Sequence, residues 1–293
     1  MSVTLAQLEL RLASSSRRPW LGFVRRHPLL VVGAALLLVM AVISLAAPWI
    51  ATHDPSNMHV LQRLKGPSAD HYFGTDALGR DVFSRTLWGG RVSLVVGISV
   101  ALLATGIGVL IGMVAGFSRL ADALIMRVMD GMMAIPGILL AVALMTLVRA
   151  SVETVVIAIA VPEIPRVVRL VRSLVLIVRE QPYIQAAEAI GTRFHWILLR
   201  HVLPNTVTPL IVQATFICAS AVIFEAYLSF LGAGTPPEIP SWGNMMAEGR
   251  SVVQLAFNII LFPGLFLGLA VLSINLLGDG LRDMLDPKIA RRL

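Results

Sequence analysis

The feature that most constrains this chain is the recurrence, along nearly its whole length, of apolar runs close to twenty residues long. Runs of that length match the hydrocarbon thickness of a bilayer better than they match a buried core helix. They fall at about 29–50, 92–117 and 132–148, from about 154 onward, and at about 207–230 and 252–277. Composition agrees. Of 293 residues, 57% are hydrophobic and 14% charged, against about 45–50% and about 25% in a soluble domain. The expectation is an all-α membrane protein with about six transmembrane helices.

The net charge is +7 and the sequence pI about 10.6. A basic soluble protein would suggest nucleic acid, but only 6% of residues are aromatic, too few for a base-stacking platform. The cations read instead as anchors that set topology, with the lipid bilayer as partner. With the N-terminus inside, six spans place Arg17, Arg18, Arg25, Arg26, Arg119, Arg127, Arg179, Arg193, Arg200, Arg282, Lys288, Arg291 and Arg292 on the cytoplasmic side. Fewer fall outside, mainly Arg63, Lys65, Arg80, Arg85 and Arg250. The first run is longer than the core of a cleaved signal peptide and ends at Pro48-Trp49, so an uncleaved first helix is expected. One cysteine, Cys218, can form no internal disulfide.

Four parts follow. Residues 1–27 form a cytoplasmic tail. Residues 28–91 hold the first transmembrane helix and an extracytoplasmic loop. Residues 92–278 hold five helices and a cytoplasmic loop at about 182–205, and 279–293 form a cytoplasmic tail. The 119–130 stretch reads as a short charged turn. In the second span Gly108, Gly112 and Gly116 recur every four residues along one helix face. Such small-residue faces let backbones approach closely where lipid gives no hydrophobic drive. The fourth run carries Glu163, Arg166, Arg169 and Arg172. Glu163 is expected to pair with Arg166 or with a neighbouring chain, because a lone charge in lipid is costly. Glu225, near the outer end of the fifth span, reads as a cavity or interface residue.

Two polar stretches carry the mechanism. In the first, Pro182 suits a helix start, Ala186, Ala187 and Ala189 favour helix, and Gly191 permits a sharp turn. A second helical piece with Phe194, Trp196, Ile197 and Leu198 leads to Pro204. The result is a short helix projecting between two spans, small enough on its surface for a partner's groove to close on it. The second stretch runs from His71 to Arg85, with Gly74 and Gly79 as turn residues. Asp–Arg pairs are available among Asp76, Arg80, Asp81 and Arg85.

The first stretch resembles the EAA loop of ABC importer permeases at Ala186, Ala187, Gly191, Leu203 and Pro204. It departs at Gln185, where that pattern has Glu, and at His201, where it has Ile. The second resembles the signature of the C-type permease of dipeptide and oligopeptide importers, at Gly74, Thr75, Asp76, Gly79, Arg80 and Asp81, with Ser84 and Arg85 following. The segment holding Pro240, Trp242 and Gly243 is similar to the family's last external loop. Gly278 to Asp283, with Asp286-Pro287, is similar to its C-terminal end. The resemblance implies a type I importer permease fold of the methionine-permease kind and a role in ATP-driven peptide import. It further implies a second permease chain, two cytoplasmic ATPase subunits and an extracytoplasmic substrate-binding protein as partners, with 182–205 as the ATPase-coupling loop.

No P-loop occurs, so ATP and Mg are expected in the partner subunits rather than on this chain. The sequence shows no catalytic set and no spaced metal-ligand set; its six histidines are scattered. The alternative is a secondary transporter driven by an ion gradient, which predicts an inverted repeat and midplane ionisable groups. No convincing repeat is visible.

Overall fold

The structure is a computed structural model that describes residues 19–285. Its helices are α1 (Pro19–Arg26), α2 (Pro28–Leu45), α3 (Ala47–Ile50), α4 (Val82–Phe117), α5 (Arg119–Ala134), α6 (Gly137–Thr146) and α7 (Val152–Arg179). Then come α8 (Pro182–Ala189), α9 (Phe194–Ile197), α10 (Leu203–Phe230), α11 (Trp242–Gly249) and α12 (Asn258–Leu285). No strand forms among the described residues; Thr75 and Asp81 make an isolated bridge. In lipid every backbone polar group must be satisfied within its own segment, and helices do this.

The glycine face decides the packing of the core. A Cβ on Gly108, Gly112 or Gly116 would stand 2.5, 2.7 and 2.6 Å from the Cβ atoms of Val167, Val171 and Val175. Carbon atoms in contact sit about 3.5–4.0 Å apart, so only glycine admits the valine ridge of α7. The close approach is therefore within the chain. Residue numbers rise together on both helices, so α4 and α7 run parallel. The chain between them must then travel back. Gly116 lies level with Val175, while α7 begins at Val152, about 35 Å away at 1.5 Å per residue.

That return is made by α5 and α6, which meet at a bend of 89°. Pro136 causes the break: it has no N–H to donate, and it holds Ile135 extended at ψ 128°. The stretch expected as a charged turn is thus the amphipathic helix α5. Its Asp122 takes both nitrogens of an Arg172 fork, with Nη2 to Oδ2 at 2.6 Å, and its Asp130 takes Arg169. These pairs fasten α5 across α7. Gly137 then passes Pro162, and α6 climbs beside the first half of α7. Glu163 pairs with Arg166 at 3.2 Å as expected.

The remaining long helices alternate. Gly97 of α4 packs on Cys218 and Val222 of α10, and Ser93 lies opposite Glu225, so these two run antiparallel. Gly278 of α12 packs on Thr215 of α10, and Gly280 and Gly33 join α12 to α2, again antiparallel. The start of α2 and the end of α12 consequently lie at one end of the bundle, with α8. Among the described residues, four helices are long and apolar enough to cross a membrane, or five if the bent pair α5–α6 is one span. The expected six is not reached on length and composition, because α7 carries Glu163 and four arginines. Boundaries also differ. α4 begins at Val82 rather than near 92, α12 runs on to Leu285, and residues 19–26 of the expected tail are helical. Asp286, Pro287 and the rest of the C-terminal tail lie outside the described residues.

Gly112→Leu should cost about 1–3 kcal/mol by overpacking against Val171 and the Val168 carbonyl. Exposed Gly106, two residues before Gly108 and on the opposite side of α4, meets nothing within 4 Å, so Gly106→Ala should leave stability unchanged. Thermal unfolding of the two variants in detergent checks this.

Candidate functional sites at the two ends of the bundle

The end opposite α8 is organised by two aspartates. Asp81 caps α4, accepting from Ser84 N through Oδ2 at 2.8 Å, and its Oδ1 lies 2.9 Å from His71 Nδ1. Asp76 folds the signature loop on itself. Its Oδ1 accepts from Leu78 N and Arg80 N at 2.8 and 2.9 Å, and its Oδ2 from Arg80 Nε at 2.6 Å. Gly74 and Gly79 hold φ of +79° and +77°, the left-handed region. A Cβ on Gly79 would also strike the His59 carbonyl, so this turn needs glycine for both reasons. Thr75 exchanges backbone and hydroxyl hydrogen bonds with Lys65 and Gln62.

Arg80 and Arg85 point from this loop to Glu248 on α11. Arg85 Nη2 donates to both carboxylate oxygens at 3.2 Å, and Arg80 Nη2 donates to Oε2. Arg85 is 1% exposed, and its Nε lies 3.7 Å from Asp76 Oδ2 without a hydrogen bond. Two guanidinium and two carboxylate groups make the cluster neutral, as burial demands. Burial pushes the Glu248 carboxyl above its ordinary range, and Arg85 and Arg80 pull against that shift.

A second contact seats α11 on α4. Trp242 is fully buried and donates from Nε1 to Thr86 O at 2.9 Å. Gly90 makes room for its ring, and Gly243 lets α11 approach Ala226 of α10. Pro240 is half-buried just before the cap of α11, Ser241. Ser241, Ser229 and Ser93 donate to Glu225 at 2.8, 3.0 and 3.1 Å. Glu225 therefore sits in a hydroxyl cage with no exposure, not at a cavity or an outer face.

At the other end, Pro182 opens α8, and Ile184 is its buried anchor, in the same apolar cluster as Ile197, Leu198 and Val202. Thr192 N bonds Ala187 O at 3.0 Å and Gly191 N bonds Glu188 O at 2.9 Å. This is a Schellman stop, with Gly191 at φ +78° supplying the left-handed residue. The chain returns through α9 and a π-helical turn, Leu198–Val202. Pro204 explains that turn: it has no N–H for the Arg200 carbonyl, and Leu203 N bonds back to Leu198 O instead. Gln185, Ala186, Gly191 and Pro204 are exposed, and Ala187, His201 and Leu203 half-buried. The His201 ring lies 6.1 Å from that of Tyr183, and Asn205 bonds the His201 carbonyl at 2.6 Å. The hairpin thus has a fixed base and an open, small-residue outer surface.

Known proteins resemble this chain in sequence. The family described as the binding-protein-dependent transport system inner membrane component matches residues 108–291, more than half the chain. The chain belongs to this family. The permease also matches, at residues 20–67, the N-terminal transmembrane domain of oligopeptide transport permease C. It is 52% identical over 92% of both chains to a probable peptide ABC transporter permease, y4tQ, of Sinorhizobium fredii. It is 41% identical to a dipeptide transport system permease of Alkalihalophilus pseudofirmus, over 91% of this chain and 88% of that one. It is 42% identical to a glutathione transport system permease of Pectobacterium atrosepticum, over 93% and 91%. The resemblance drawn from the two motifs stands: this is an ABC importer permease subunit, a multi-pass membrane component and not an enzyme.

Within the permease, the signature residues Thr75, Asp76, Arg80, Asp81, Ser84 and Arg85 do come together, and Trp242 and Gly243 join them through α11. Asp81 pairs with His71 and caps α4, where Arg partners were equally available from sequence. Glu248 was missed. It lies more than 160 residues from Arg80 and Arg85, and the one local sign is its place as the single charged residue of the short helix that opens with Trp242. Gly108, Gly112 and Gly116 belong to the core and to neither end.

Glu248→Ala should leave two buried guanidinium groups short of a partner and cost about 3 kcal/mol, the low end for a broken buried pair because Glu248 is a quarter exposed. Glu248→Asp should cost less. Thermal unfolding of the purified permease distinguishes the two.

Proposed function

We propose that this permease is one of two membrane-spanning subunits of an ATP-driven importer for peptides, and that α8 is its coupling helix. The α8 hairpin carries the reading. Its buried Ile184 and glycine-stopped turn join it firmly to α7 and α10, while Gln185 and Ala186 face outward. A cytoplasmic ATPase closing on that surface would move a rigid lever, and α7 and α10 would carry the motion along the bundle. ATP and Mg would bind in the ATPases, since the chain has no P-loop.

The α8 end is assigned to the cytoplasm, with both termini. Arg25, Arg26, Arg119, Arg193 and Arg200 lie at or near it. At the other end the buried Arg80 and Arg85 are neutralised by Asp76 and Glu248. A positive inner face follows the usual bias of inner-membrane proteins. The opposite end, built from the signature loop and α11, would face the substrate-binding protein. Peptide as the cargo is supported by the relatives, which are named for peptide, dipeptide and glutathione transport.

Co-purification with the cognate ATPases tests the reading. Ala186→Arg puts a bulky charge on the exposed face without backbone strain, and Gly191→Arg adds strain at positive φ. Both should insert normally and retain at least tenfold less ATPase than wild type. Equal ATPase recovery by wild type and both variants would remove α8 as the coupling element.

A further inference from the structure

The loop between α3 and α4 folds three potential ligands together that sequence keeps apart. His53, His71 and Asp81 each offer an atom within 4.8 Å of the other two. The His53 and His71 rings lie 4.6 Å apart at 32°. His71 and Asp81 are buried, and His53 is exposed.

Both ring nitrogens of His71 have close partners. Its Nε2 is 2.9 Å from Gln62 Oε1, and the ring tautomer protonated at Nε2 donates to that carbonyl oxygen. In the neutral ring Nδ1 then presents a lone pair, and it faces Asp81 Oδ1 at 2.9 Å. A proton or a metal ion between them satisfies both groups. Gln62 stands where the outer-shell partner of a metal-binding imidazole stands, holding the far nitrogen so that the near one can ligate. The other oxygen of Asp81 stays engaged with Ser84 N and Thr52, leaving Oδ1, which faces His71 Nδ1, as the ligand atom. His53 has its backbone N–H on Ser84 Oγ at 3.1 Å, and its Nδ1 lies 3.0 Å from Thr52 Oγ1, so its ring is held beside that of His71.

We propose that His53, His71 and Asp81 form a binding site for a divalent transition-metal ion of the zinc class. Two imidazoles and one carboxylate suit such ions, at about 2.0–2.2 Å per bond, and leave the fourth position open to water on the exposed side. Calcium and magnesium, which seek all-oxygen shells, do not fit the set. The ion would tie the Ala51–Asp54 segment to the cap of α4 and so brace the loop from both sides.

The test uses the full-length permease in nanodiscs with any affinity tag removed, stripped of metal and titrated with Co²⁺ followed by Zn²⁺. Wild type should bind one Co²⁺ with visible ligand-field absorption, lose that absorption when Zn²⁺ displaces it, and unfold at a higher temperature with Zn²⁺ than without. His53→Ala removes only an exposed ring and keeps the backbone bond to Ser84. It should weaken binding at least tenfold and abolish the Zn²⁺-dependent rise, each protein being compared with its own metal-free form. Absence of Co²⁺ absorption in wild type, or equal affinity in His53→Ala, would overturn the site and leave a hydrogen bond as the whole of the His71–Asp81 contact.

Discussion

The contact between the glycine face of α4 and the valine ridge of α7 sets the rest of the permease. Inside lipid there is no hydrophobic drive to bring helices together, so close packing and internal polar bonds must do it. Gly108, Gly112 and Gly116 admit Val167, Val171 and Val175 at a spacing no side chain would allow. Because the two helices are parallel, the 118–151 segment has to return along them. The break at Pro136 and the clamps from Asp122 and Asp130 follow from that requirement. The same arrangement delivers the end of α7, and therefore α8, to the end of the bundle where α4 finishes. Arg179 fixes it there by donating to the Phe117 carbonyl at 3.0 Å.

The opposite end solves a different problem. A polar loop must close over the mouth of an apolar bundle without leaving buried charge. It does so with Asp76, Arg80, Arg85 and Glu248, two charges of each sign, and with Asp81 spent on a helix cap and His71. Such a cluster adds little net stability over an apolar one, but losing one member is costly. Its effect is to fix the signature loop to α11, while Trp242 and the hydroxyl cage of Glu225 fix α11 to α4 and α10. α10 then runs unbroken from that cage to the π-turn beside α8, which gives the two ends a shared rigid element.

Much of this was legible in the sequence. Long apolar runs marked the membrane helices, Gly191 marked the end of α8, and the two motifs marked the family. The errors have physical causes. α4 begins at Val82 because Asp81 caps it, yet its first turns hold Arg85, Thr86 and Arg91, which hydropathy reads as loop. α5 looks like a turn because it is charged on one face, and α7 falls short as a span on composition because it carries Glu163 and four arginines, of which Arg169 and Arg172 find their partners on α5. Glu225 looked available because its partners, Ser93, Ser229 and Ser241, are ordinary serines with no pattern linking them.

By itself the sequence determined what local physics determines: helical, membrane-spanning segments, the stop after α8, the left-handed turns at Gly74 and Gly79, and the motifs that carry membership of the permease family. The tertiary structure alone decided which charges meet. Glu248 with Arg80 and Arg85, Asp122 with Arg172, and His53 with His71 and Asp81 are contacts between segments that only packing brings together. Their partners are chosen by where the α4–α7 contact and the seat of Trp242 place each helix, and no spacing along the chain encodes that.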